Sequence, residues 1–347
     1  MKKKRLMIAV AVVAAIALGA FGTDLAAQDS ECDRQCLVDV MQQYLAALVK
    51  HDPKAVAFAR EVKFVENTAN LPVGKGLWIT ASQGPSEFQI YAADPVAQQV
   101  ACLVMMKEND KNVLLGARLK LENVKITEAE HLVIRDLGTS PVGQAALDNL
   151  KTPRPGLLED VAPPDRTARW RILKAGRAYY DALTGGDGTL APFATECERH
   201  ENGMITAGGK PRAPKPKPAA TEGEPAAKTN PEMEKLMQAM ASIPNTCEAQ
   251  LSTGTFSYIT EIRNRRVLIA DEQKGLAVGF SMFYHDSSLK EYDFKDPATG
   301  KVIGKMPSYQ GAFNLPAMHI YKIKRGKIYE IEAIGFMLPY GTKSGWE

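Results

Sequence analysis

Two residue types suited to proton transfer recur in this chain at a fixed offset. Tyr44 matches Tyr179, Glu66 matches Glu201, and an asparagine follows each glutamate, Asn67 and Asn202. Burial among apolar groups raises a carboxylate toward working pH, where it can shuttle a proton. A phenol held where water is excluded can stabilise a developing oxyanion. The segments that carry these residues are YLAALVKHDPKAVAFAREVKFVEN from Tyr44 and YYDALTGGDGTLAPFATECERHEN from Tyr179. They align without a gap at an offset of 135 residues. The chain therefore reads as two copies of one domain.

The elements that must position these residues follow from periodicity. Leu37, Val40, Met41, Tyr44, Leu45 and Leu48 keep the spacing of one buried helix face. The second copy repeats this from about Thr167 through Leu183. A turn at Asp52-Pro53 or Asp187-Gly188 ends each helix, and a second short helix is predicted to reach Phe58 or Phe193. A strand follows, 62–67 in one copy and 197–202 in the other. Alternation places Val62, Phe64 and Glu66 on one face, and Cys197, Arg199 and Glu201 on its counterpart. Further strands are predicted near 88–93, 98–106, 112–121 and 125–135, then near 256–263, 266–271, 276–284, 318–324 and 327–336. Helices followed by an antiparallel meander make an α+β class.

The leader is basic at Lys2 to Arg5, apolar to about Phe21 and small-residued to Ala27, which reads as a signal peptide over 1–27. A retained anchor is the alternative; with cleavage, no stable membrane anchor is left and the chain is periplasmic or secreted. The first domain is expected over 31–136, a linker over 137–164 and the second domain over 165–347. A Pro-, Ala- and Lys-rich insertion over 207–231 is expected to be disordered or, alternatively, a partner motif. A helix from about 232 to 241 is expected to re-enter the domain. Five cysteines in an exported chain predict bridges Cys32–Cys36 and Cys197–Cys247, with Cys102 a buried thiol; the alternative is that all five are free. A formal net charge of +3 with no basic stripe argues against nucleic acid. No phosphate loop, ligand-spaced Cys/His cluster or nucleophile triad is legible, so neither metal nor cofactor is expected.

The helix QYLAALVKHD from Gln43, the segment FAREVKFVEN from Phe58 and closing strands of the GKIYEI type resemble the ketosteroid-isomerase and SnoaL-like branch of the nuclear-transport-factor-2-like fold. The ending PYGTKSGW adds a likeness to a family of secreted two-copy proteins with no assigned activity. The resemblance implies two tandem cones, each a curved antiparallel sheet wrapped around N-terminal helices. It implies a general base at Glu66, with Glu201 as its counterpart, and a hydrogen-bond donor at Tyr44, with Tyr179 as its counterpart. No counterpart of the family's second oxyanion-hole acid is found. Glu66 has apolar strand neighbours, whereas Arg199 should keep Glu201 ionised and occupied, so the first copy is expected to hold the better base. The second holds either a structural ion pair or an anion site.

Asn67 is a possible positioning group, and Phe64, Trp78, Tyr179, Arg199 and Glu201 are candidate substrate contacts. The expected activity is that of a cofactor-independent isomerase, lyase or dehydratase acting on a small, largely apolar carbonyl or phenolic compound. The alternative is an exported binding or scaffold protein, in which each glutamate is pinned by backbone N–H groups and each tyrosine is core. Trp78 and Trp346 either cover a pocket mouth or pack. His200 should point to the surface, and His285 and His319 should be satisfied histidines near the second cone. A monomer is expected, the two copies meeting as an intramolecular pseudo-dimer.

Overall fold

A computed structural model describes residues 31–135, 137, 141–209 and 243–347. The leader, most of the insertion and the helix expected near 232–241 lie outside the described residues.

Helix α1 (Arg34–Val49) starts where the Asp33 carboxylate accepts from Cys36 N, and it buries Leu37, Met41, Tyr44, Leu45 and Leu48. A 3-10 turn, Pro53–Ala55, leads into the first sheet. Its strands are β1 (Phe58–Glu66), β2 (Ala69–Asn70), β3 (Ala81–Gln83), β4 (Gln89–Asp94), β5 (Gln99–Glu108), β6 (Lys111–Glu122) and β7 (Lys125–Ile134), with a short helix α2 (Leu77–Thr80) before β3. The order is β2-β1-β7-β6-β5-β3, with β4 also paired to β5. All pairs are antiparallel except β1 with β7. The residues between the halves are ordered where described, as α3 (Pro141–Asn149) and α4 (Pro155–Leu158), with Leu150, Leu157 and Val161 buried.

The second half repeats the order. Helix α5 (Arg169–Gly185) ends on Gly186 in the left-handed region, and a 3-10 turn follows at Gly188–Leu190. The strands are β8 (Phe193–Glu201), β9 (Met204–Ala207), β10 (Glu261–Asp271), β11 (Leu276–His285), β12 (Glu291–Lys295), β13 (Val302–Pro307), β14 (Phe313–Lys324), β15 (Lys327–Gly335) and β16 (Leu338–Pro339), with helix α6 (Cys247–Ser252) before β10. The sheet order is β10-β11-β14-β15-β8-β9, β8 running parallel to β15; β12 and β13 form a separate hairpin.

Several boundaries differ from the sequence reading; β14 also starts earlier, at Phe313, and the β12–β13 hairpin was not expected. The short helices stop at Ala55 and Leu190, so Phe58 and Phe193 open the strands. Residues 256–258 turn, and 261–271 is one strand rather than two. A shift of pairing between Arg263 and Arg266, with Asn264 at φ 50°, absorbs the polar Arg-Asn-Arg-Arg run as a bulge. Ala207 belongs to β9 rather than to the insertion.

Each long helix packs on one face of its sheet and forms a separate core, one around Tyr44, Phe64 and Trp78, the other around Tyr179, Tyr180 and Tyr321. The opposite faces meet in a third core, where Leu103, Met105 and Leu114 of the first sheet join Val278, Phe280 and Met318 of the second. Strand β5 is therefore covered on both sides, which explains its unbroken apolar run and the buried, free Cys102. Trp346 closes this junction: its ring lies under Lys63 Nζ at 4.3 Å and under the Arg118 and Arg266 guanidinium groups at 4.8 Å each. It packs between the halves. Disulfides join Cys32 to Cys36 and Cys197 to Cys247.

Candidate functional site

In the first half, Glu66 is 6% exposed at the end of β1. Its Oε2 accepts from Leu77 N at 2.9 Å and lies 3.2 Å from His131 Nδ1, and Arg135 reaches Oε1 at 3.3 Å. Gly76 permits this approach, because a Cβ there would fall 2.7 Å from the carboxylate. His131 Nε2 in turn meets Tyr44 OH at 2.8 Å. The chain Tyr44–His131–Glu66 is closed: Tyr44, Phe64, Trp78 and His131 are each at most 2% exposed. Burial pushes the Glu66 carboxyl up, but His131, the Leu77 N–H and Arg135 outweigh it and hold it below the usual range. Burial pushes the Tyr44 phenol up. The sequence reading gave the first half the better base; the Glu66 carboxyl is instead lowered, and it and Tyr44 are enclosed. Phe64 packs on the His131 ring at 4.9 Å and Trp78 on Tyr44 at 5.2 Å, so neither offers a substrate contact.

The repeated asparagines are structural. Asn67 and Asn202 take left-handed φ of 47° and 46°. The Asn67 amide donates to Val133 O and accepts from Val133 N; Asn202 does the same with Gly335. Each side chain extends the parallel pairing past the end of its strand, which leaves the Asn67 amide spoken for.

The second half keeps the framework and opens it. Glu66 pairs across the parallel strands with His131, whereas Glu201 pairs with Ala333. A methyl thus stands where the first half has an imidazole. The histidine has moved one strand over: Ala117 pairs with His131 in the first half, and His319 pairs with Ala333 in the second. The freed space is a cavity of about 210 Å³ bounded by Arg199, Glu201, Tyr258, Phe283, Tyr309 and His319, among others.

Arg199 is buried, and its Nε donates to Tyr179 OH at 2.7 Å and its Nη1 to Thr206 Oγ1 at 2.9 Å; the other arm bonds the Glu201 carboxylate. The ion pair anticipated from the sequence is present. Tyr179 is occupied by Arg199 and does not line the cavity, which removes it as a substrate contact. The Glu201 side chain is 36% exposed. His319 Nδ1 meets Tyr180 OH at 3.3 Å, and Nε2 has no partner among the described residues. Burial, then the Arg199 charge, pushes His319 down to about 3, so the ring is neutral. His285 is buried between two wall segments, its Nδ1 2.6 Å from Tyr258 O and its Nε2 3.0 Å from Tyr309 O. The bridge Cys197–Cys247 ties α6, which precedes the Phe256–Ile259 wall, to β8.

His200 does not reach the surface. It is 4% exposed and lies among Glu198 at 2.6 Å, Glu332 at 3.5 Å and the Arg154 cluster, because α4 and its flanks cover that face of β8 and β15. Among the described residues no cluster of His, Cys, Asp or Glu could hold a metal ion, and no helix is long and apolar enough to cross a membrane.

The sequence missed Tyr180, Tyr258, Tyr309 and the role of His319. The aligned closing strands, with His131 opposite Ala333, carried the one signal that pointed to the cavity.

A family model described as a domain of unknown function (DUF8021) matches residues 165–335, the half that holds the cavity. No curated protein matches the chain. Solved structures to which the chain is similar include a candidate polyketide cyclase from Silicibacter sp. TM1040, at 13% identity over 50% of this chain and 92% of that one, TM-score 0.26. Another, from Xanthomonas campestris, shares 14% identity over 48% and 90%, TM-score 0.27. A candidate SnoaL-like polyketide cyclase from Jannaschia sp. CCS1 shares 10% over 51% and 90%, TM-score 0.25.

Proposed function

We propose that the second-half cavity takes a small, largely apolar carbonyl or phenolic compound and moves a proton on it without a cofactor, as an isomerase, lyase or dehydratase does. The observation that carries this reading is the meeting of a part-exposed Glu201 carboxylate with an unpartnered His319 Nε2 inside one aromatic-walled cavity. Glu201 accepts the substrate proton. In the tautomer in which His319 Nδ1 accepts from Tyr180 OH, Nε2 carries the hydrogen and can donate to the developing oxyanion. A neutral imidazole suits that task, since it donates without surrendering its proton. Tyr258 and Phe283 supply apolar walls that exclude water.

Two disulfides support export to the periplasm or beyond. The element-by-element repeat supports two SnoaL-like units in tandem, and the shared third core supports a monomer folded as an internal pseudo-dimer.

A second reading, binding without chemistry, is favoured by the Arg199–Glu201 ion pair, which engages the carboxylate. Aryl ketones and cyclic enones incubated with the protein in D2O, followed by NMR, separate the two. Catalysis predicts deuteration next to the carbonyl, abolished by Glu201→Gln and slowed about 100-fold by His319→Phe. Binding with no deuteration selects the second reading.

A further inference from the structure

We propose that the ligand is longer than the cavity: a flat hydroxylated head in the second-half cavity, joined to an uncharged aliphatic tail lying in the groove between the halves. The inference rests on the binding reading above and extends it to a substrate class. The cavity of about 210 Å³ adjoins a groove of about 480 Å³; both are bounded by Asn202, Leu315, Gly335 and Met337. The first half contributes Val133 and Ile134 to the groove, and Phe336 completes its side. Its polar groups are already matched. The Asn67 and Asn202 amides bond backbone, and Arg135 at the far end bonds Glu108 at 2.6 Å and Glu66 at 3.3 Å. Among the described residues no carboxylate lines the groove to hold a cationic tail, and its one cation, Arg135, is already engaged by two carboxylates, whereas methylenes would cover Met337, which stands 53% exposed. The head site belongs to one half and the tail site to both, so the complete site needs the two halves joined.

Isothermal titration of the full chain with phenol, 4-propylphenol and 4-hexylphenol tests this. Each added methylene should tighten binding by roughly fourfold if it is fully buried, and Phe336→Ser should flatten that gain, read as the ratio of hexyl to parent affinity. Near-UV circular dichroism checks that the variant is folded, and Ile134→Ser gives an independent variant on the opposite side of the groove. Equal affinities along the series, or a gain untouched by both substitutions, would overturn the tail while leaving the cavity reading intact. No binding of any member would overturn both.

Discussion

Asp94 and Asp271 each hold the other half's leading helix. The Asp94 carboxylate takes Arg169 of α5 at 2.9 Å and accepts from Ala270 N at 3.0 Å. The Asp271 carboxylate takes Arg34 of α1 at 2.9 Å and accepts from Ala93 N at 3.1 Å. Arg34 and Arg169 stand at the same 135-residue offset as the tyrosines. The exchange is reciprocal, as in an isologous dimer interface, but within one chain. Both aspartates are at most 1% exposed, so removing either leaves an arginine and two backbone N–H groups without that partner. Asp94→Ala and Asp271→Ala should each cost about 3 kcal/mol, the low end for a broken buried pair because both arginines keep some solvent. Urea unfolding should show one transition for both halves in the wild-type chain. Two separated transitions there would show that the halves do not fold as a unit.

The exchange of His131 for Ala333 predicts how to close the cavity. Ala333→His restores the ring that fills the first half, and space exists for it, so stability should change by less than about 1 kcal/mol. Phenol affinity should fall about tenfold or more, since the head site is lost. The reverse change, His131→Ala, strips Glu66 and Tyr44 of a hydrogen-bond partner and leaves a hole, at a cost of about 2–5 kcal/mol. Retained phenol binding in Ala333→His would place the ligand elsewhere.

The cluster under α4 makes stability depend on pH. Burial pushes the enclosed Glu332 carboxyl up to about 7, despite Arg154 beside it. A native state that holds a proton more tightly than the unfolded chain is favoured at acid pH, and that advantage is lost as pH rises from the ordinary glutamate range toward 7. His200 works oppositely. Burial and Arg154 push it down to about 4, so the native state loses stability as pH falls from about 6.5 to 4. The two slopes oppose one another across their shared window, which flattens the wild-type profile. Glu332→Gln removes one of them. Its stability relative to wild type should rise by about 1–3 kcal/mol between about pH 5 and pH 8. Chemical denaturation at several pH values reads the difference; a constant offset would exclude Glu332 as its source.

The repeat made the framework legible because helix periodicity, turn residues and strand alternation are local. Tyr44, Leu45 and Leu48 bury where their spacing puts them. The asparagines were legible as repeated but not as structural, since the partners of Asn67 and Asn202 lie on strands 66 and 133 residues away. The place of the cavity was not legible for a similar reason. Whether Glu66 or Glu201 faces open space depends on what a distant parallel strand puts beside it, His131 or Ala333, and on Trp78, which enters on a short helix before β3. Strand alternation correctly placed Arg199 beside Glu201, but it carries no information on volume. His200 looked exposed because it alternates away from the helix face; that face is covered by residues read only as a linker.

The disulfide Cys197–Cys247 closes a loop with a sequence separation of 50 residues around the insertion and fixes α6 against β8. The wall residues Phe256, Tyr258 and Ile259 follow directly after α6. Opening the bridge should therefore act twice. Cys247→Ser should lower global stability by about 2–4 kcal/mol, mainly by freeing the unfolded chain. It should also weaken phenol binding under conditions where the variant is still fully folded, because the wall then loses its one covalent tie to β8 and is held by hydrogen bonds such as those of His285 and Gln250. Mild reduction of the wild-type protein should reproduce the binding loss. The same reduction applied to Cys32→Ser, which lacks only the bridge beside α1, should reproduce it again, since the bridge at α6 is intact there until reductant is added. A variant that loses stability but keeps full phenol affinity would confine this disulfide to folding and separate it from the site.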